Sequence, residues 1–212
     1  MDTASITKTK RPGNDNDQII PYYTLRVLIG AAGILLPLLL WIGKLIFNNS
    51  WQIEYSISDY YDNGTAGDIL VGVLFALAFF LVSYRGYAPI DSIAANFGCA
   101  FALGVALCPT TSDNKIIHIL HFVFALLLFS VFIFFSIYLF RKKSPHPTKQ
   151  KKNRNKVYLI CGILMIICIA GIAVYQIFDL NSSWHPVFWL ESLALISFGF
   201  SWITKAEVLF ED

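Results

Sequence analysis

The chain has 212 residues, 56% of them hydrophobic and only 14% charged, with a net charge of +2. Soluble domains carry about 25% charged residues, so these charges are too few to cover a surface facing water. The composition excludes a disordered chain, a basic nucleic-acid-binding domain and a water-soluble globule.

A helix needs about 20 mostly apolar residues to cross a hydrocarbon core about 30 Å thick. Taken in chain order, Met1 to Gln18 is polar and carries Lys8, Lys10 and Arg11. It reads as a retained cytoplasmic tail, because the apolar run behind it is too long for a signal peptide. Six apolar runs follow. They are Leu25–Phe47 with Pro37 inside it, Asp68–Tyr84, Pro89–Cys108, Ile116–Phe140, Val157–Phe178 and Pro186–Thr204. The fold class expected is therefore all-α: a tail over 1–24, then a single six-transmembrane-helix bundle over 25–212. The segment 141–156, RKKSPHPTKQKKNRNK, has eight basic residues and two prolines. It predicts a mobile basic loop able to attract anionic headgroups at about 1 kcal/mol per charge near the surface.

Charge tests this span count independently. With six spans both termini share one side, and that side collects 14 of the 16 basic residues, leaving Lys44 and Lys115 opposite. The positive-inside rule then predicts cytoplasmic termini in a plasma or inner membrane. Four cysteines in apolar runs predict packing, not a disulfide framework.

The polar residues left over gather at the outer boundary. The first outer loop holds Glu54, Asp59, Asp62 and Asp68 without a basic residue. Asp68 reads as a helix N-cap, and Asp91 as a first-turn acid near Arg85. No cap or periodicity is visible for Asp59 or Asp62, which makes them candidates for a binding site. His118 and His121, three apart, lie on one helical face. Glu191 sits among aromatic and aliphatic residues in the sixth run, where a carboxyl needs a partner. The histidines at matching depth are His118, His121 and His185. The candidate ligand pocket is thus Asp59, Asp62, His118, His121, His185 and Glu191.

Several residues also resemble a known family. The Ile57-Ser58-Asp59 step, His121 followed four residues on by Ala125, and Glu191 near Trp189 are similar to the six-helix membrane proteins grouped with DRAM-type autophagy modulators and a GPI-anchor-remodelling protein, and to bacterial six-span proteins. That family commonly has Thr-Gly after the Asp, whereas Asp59 leads into Tyr60 and Tyr61, and the order of acid and tryptophan differs. The resemblance implies a lipid-linked role with Asp, His and Glu on one side.

Three functions fit these residues. The first is binding of a lipid headgroup or other amphiphile. The second is a membrane-embedded hydrolase or lipid-modifying enzyme in which His118, His121 and Glu191 hold Zn²⁺. The third is a small transporter with a His and Glu proton relay. Membrane lipids are the partners expected, and nucleic acid is not.

Overall fold

The computed structural model describes residues 21–110, 112–142, 146–178 and 183–209. Most of the polar tail, and Lys143 to Pro145 of the basic segment, lie outside the described residues. Six helices are long and apolar enough to cross a membrane: α1 (Tyr22–Asn48), α2 (Thr65–Ser83), α3 (Pro89–Leu107), α4 (Lys115–Phe134), α5 (Lys149–Ile177) and α6 (Pro186–Lys205). A 3-10 turn, Ser58–Asp62, lies between α1 and α2, and α4 continues through a π-helical turn, Phe135–Leu139. No strand occurs among the described residues.

All six predicted runs coincide with helices, but the basic segment differs from expectation. Lys149 to Lys156 are the first two turns of α5 and not a loop. Thr148 caps them, its hydroxyl accepting from the Lys151 amide at 3.0 Å. Behind Pro147 the sequence is mostly Lys, Gln and Arg, good helix formers that need no apolar partner. Asp68 lies inside the first turn of α2, not at its N-cap, which is Gly64. Asp91 pairs with Lys142 at 2.5 Å, where Arg85 was expected, and its other oxygen accepts from the Ala88 amide at 3.0 Å.

Packing follows a ring in chain order, with α6 closing onto α1 and the contact between α4 and α5 the sparsest of the six neighbouring pairs. Arg26 donates to the carbonyl of Lys205 at 3.3 Å, so α1 begins where α6 ends. We call this the terminal end, and the opposite one the turn end. Toward the terminal end the bundle is tight. A Cβ on Gly30 would lie 2.8 Å from the carbonyl oxygen of Gly199, and one on Gly199 would press on the Gly30 oxygen in turn, so the α1 and α6 backbones nearly touch there. Gly162 likewise lets Ile137 press against α5. The core between these contacts is aromatic. Phe132 and Phe198 stack with centroids 3.7 Å apart, and Trp202 meets Tyr84, Phe135 and Phe140.

Burial and hydropathy run in opposite directions. The helix with the largest buried share, α6, is the least apolar, while α4 and α5, with the smallest buried shares, are the most apolar. Lipid is as apolar as a protein core, so outward faces carry Ile, Leu and Phe while small and polar residues settle between helices. Ser136 donating to Ser201 at 2.8 Å is one such contact.

Candidate functional site

The loop between α1 and α2 folds over the turn end and carries the site. Its local structure begins with two residues three apart. The Ser56 amide donates to the Asp59 carboxylate at 2.9 Å, and the Asp59 amide donates to the Ser56 hydroxyl at 3.2 Å. This reciprocal pair has the form of a capping box, set one residue ahead of Ile57, the N-cap of the 3-10 turn. Asp59 therefore has a structural partner, contrary to the sequence expectation, and the Ser-x-x-Asp spacing was the signal. Burial pushes its carboxyl above the usual range, while the Ser56 bonds pull it down and the Glu54 and Asp62 carboxylates add to the rise. Asp62 is exposed on the turn.

Hydrogen bonds fix the loop and its turn to the rest of the bundle. The Ile57 amide donates to the Glu191 carboxylate at 2.6 Å, so the partner of Glu191 is backbone and not one of the histidines. Thr110 donates to the Ser58 carbonyl at 3.2 Å, and the Tyr61 hydroxyl donates to the Val105 carbonyl. The Phe188 amide, in the first turn of α6 where no intrahelical acceptor exists, donates to the Tyr55 carbonyl at 3.0 Å.

His121 is 1% exposed and bonded at both nitrogens. Nδ1 lies 2.6 Å from the Cys108 carbonyl and Nε2 lies 2.9 Å from Ser58 Oγ. A carbonyl only accepts, so Nδ1 carries a proton. In the neutral ring Nε2 then accepts from the Ser58 hydroxyl. The Tyr61 ring meets the imidazole edge-on, centroids 5.8 Å apart. His118 is exposed instead, with Phe122 against its ring at 5.0 Å. Shared helical face did not mean shared environment: Phe122 stands beside both imidazoles, and only His121 reaches the turn.

Two cavities share Glu191 in their walls. One, of about 470 Å³, lies between α4, α5 and α6, roofed by Ser56, Asp59, Thr110 and His118 and walled by Phe122, Phe129, Ile169 and Ala173. It occupies the α4–α5 seam that Ile137 and Gly162 close at the other end. The second, of about 70 Å³, lies deeper, with Ser58, His121 and Glu191 among apolar side chains such as Leu36, Leu74 and Leu128. Ala125, Phe129 and Glu191 line both.

His185 belongs elsewhere. It lines a groove of about 1010 Å³ between α1 and α6, with Trp41, Trp51, Trp184 and Trp189. The buried Lys44 pairs there with Glu54, which also accepts from Asn63 at 2.9 Å. That pairing, between residues ten apart across a helix end, was not anticipated from sequence.

The structure thus brings Asp59, His118 and Glu191 to one cavity, places His121 just beneath it with Ser58, and leaves Asp62 and His185 outside. Among the described residues no three His, Cys, Asp or Glu side chains gather in a group able to hold a metal. The set His118, His121 and Glu191 expected for Zn²⁺ is divided between separate partners. Compared with family models, curated proteins and solved structures, the chain matches none.

Proposed function

We propose that this is a membrane protein that binds the head of an amphiphile in the cavity between α4, α5 and α6. The observation carrying this reading is the cavity's composition: a polar roof of Ser56, Asp59, Thr110 and His118, apolar walls below, and a place on the sparsest seam of the ring. Ligand sites combine apolar walls with a few convergent polar groups in this way. Among the described residues two carboxyl groups and no Lys or Arg line it, so the head it suits carries hydroxyl or amine donors and not a bare phosphate. The positive-inside bias puts this cavity toward the outer leaflet. The resemblance to DRAM-type proteins, carried partly by Asp59, His121 and Glu191, implies a lipid-linked role as well.

Filling the cavity tests the reading. The chain, purified in lipid nanodiscs and released for native mass spectrometry, is expected to retain an amphiphile bearing an amine or polyol head. Ala173→Trp, on the α5 wall, is expected to weaken retention about tenfold, roughly 1.4 kcal/mol, with little change in melting temperature. Equal retention by both proteins would refute the site.

A further inference from the structure

The Ser58 and His121 pair lies next to that cavity and is not used by headgroup binding. We propose that Ser58 is a nucleophile and His121 its general base, cleaving a carboxylic ester of the amphiphile. This rests on the reading that an amphiphile occupies the cavity between α4, α5 and α6.

Four features support it. The hydroxyl and Nε2 are 2.9 Å apart, within reach for proton transfer. The bond from Nδ1 to the Cys108 carbonyl at 2.6 Å holds the tautomer that leaves Nε2 free to accept, the role an orienting third group plays in such constellations. Ser58 is itself held on both sides: Glu191 takes the preceding amide, at Ile57, and Thr110 takes its carbonyl. Glu191 and Thr110 are thus positioning residues. Finally, Ser58 and His121 line the small apolar chamber that shares Ala125, Phe129 and Glu191 with the larger cavity. Only these shared side chains stand between the seam cavity and the chamber that holds the hydroxyl, and the low polarity there strengthens each electrostatic contact.

The chemistry balances with water as the only co-reactant. Ser58 Oγ attacks the ester carbon, forming an O–C bond as its proton moves to His121 Nε2 and the carbonyl electron pair moves to oxygen. Collapse breaks the bond to the alcohol, which takes the proton from Nε2 and leaves. Water, deprotonated by Nε2, then attacks acyl-Ser58 and releases the carboxylic acid, restoring the hydroxyl.

A long-chain alkyl fluorophosphonate tests the pair on the full chain in nanodiscs. Attack by Ser58 expels fluoride and leaves a phosphonyl adduct, read by peptide mass spectrometry. The adduct is expected on Ser58, absent from Ser58→Ala, and formed at least about 100-fold more slowly in His121→Ala, the usual contribution of a general base. EDTA is expected to leave the labelling rate unchanged. If His121→Ala does not fold, Ser58→Cys replaces it: with His121 intact, the alkylation rate of its thiol should follow the imidazole's titration and not that of an isolated thiol. A protein that retains its amphiphile but takes no label on Ser58 overturns the nucleophile and spares the binding site. Labelling that survives in Ser58→Ala, labelling that EDTA abolishes, or alkylation of Ser58→Cys that follows an isolated thiol, overturns the pair. Label on Ser58 without amphiphile retention supports the pair and refutes the binding reading.

Discussion

At the scale of single residues, Asp59 shows how burial and hydrogen bonding compete over one carboxyl. Burial raises its titration above that of an ordinary aspartate, against the pull of two bonds from Ser56. A carboxyl with a raised folded value binds its proton more tightly folded than unfolded, so its contribution is full below the unfolded value and is lost as pH rises through the folded one. Asp59→Asn keeps an oxygen to accept from the Ser56 amide and removes the titration. In detergent, the melting temperature of the wild type is expected to fall relative to Asp59→Asn as pH rises through the carboxylate range. A constant difference between the two proteins would contradict this. The Ser56-x-x-Asp59 box is a local spacing that the sequence carries, although no cap was expected at Asp59. Ser58 and His121 are 63 residues apart, and no local pattern joins them.

Among the elements, the glycines of α1 and α6 decide where helices touch and where they part. A Cβ on Gly199 would collide with backbone, the Gly30 oxygen, whereas one on Gly72 would meet nothing within 4 Å. Gly199→Ala is therefore expected to force the helices apart at a cost of about 1 to 3 kcal/mol, and Gly72→Ala to be neutral or slightly stabilising through helix propensity. Thermal unfolding of both in one detergent checks the contrast; similar melting temperatures would show that the α1–α6 contact yields freely. Helix existence was legible because apolar runs of spanning length are unambiguous. The start of α5 was not, since its first two turns are basic and hydropathy marks only the part that lipid would cover.

For the molecule as a whole, charge and the tapering of two seams give one polarity. Arg26, Lys142, Arg154 and Lys205 belong to the end where α1 begins and α6 ends, while both large openings lie toward the turn end. In intact cells, with the native cysteines replaced, Gln52→Cys is expected to react with a membrane-impermeant maleimide and Tyr87→Cys only after permeabilisation, since both positions are exposed at opposite ends. The reverse pattern would invert the topology and turn the cavity toward the inner leaflet. The stacked Phe132 and Phe198, with Trp202 beyond, pack the core between Glu191 and the terminal end with aromatic rings.

By itself the sequence determined six helices of spanning length and the separation of basic from acidic residues, because hydropathy and charge act over whole segments and need no knowledge of neighbours. It also marked Asp59, Asp62, His118, His121, His185 and Glu191 as polar groups needing an explanation. Only the tertiary structure decided their partners. Glu191 bonds the Ile57 amide 134 residues away, and His121 turns to Ser58 and Cys108 while His118, one turn back, faces the neighbouring cavity. Hydrogen bonds are satisfied by whatever the packed helices bring within about 3 Å, and that depends on where the glycine contacts close the ring and where they let it open.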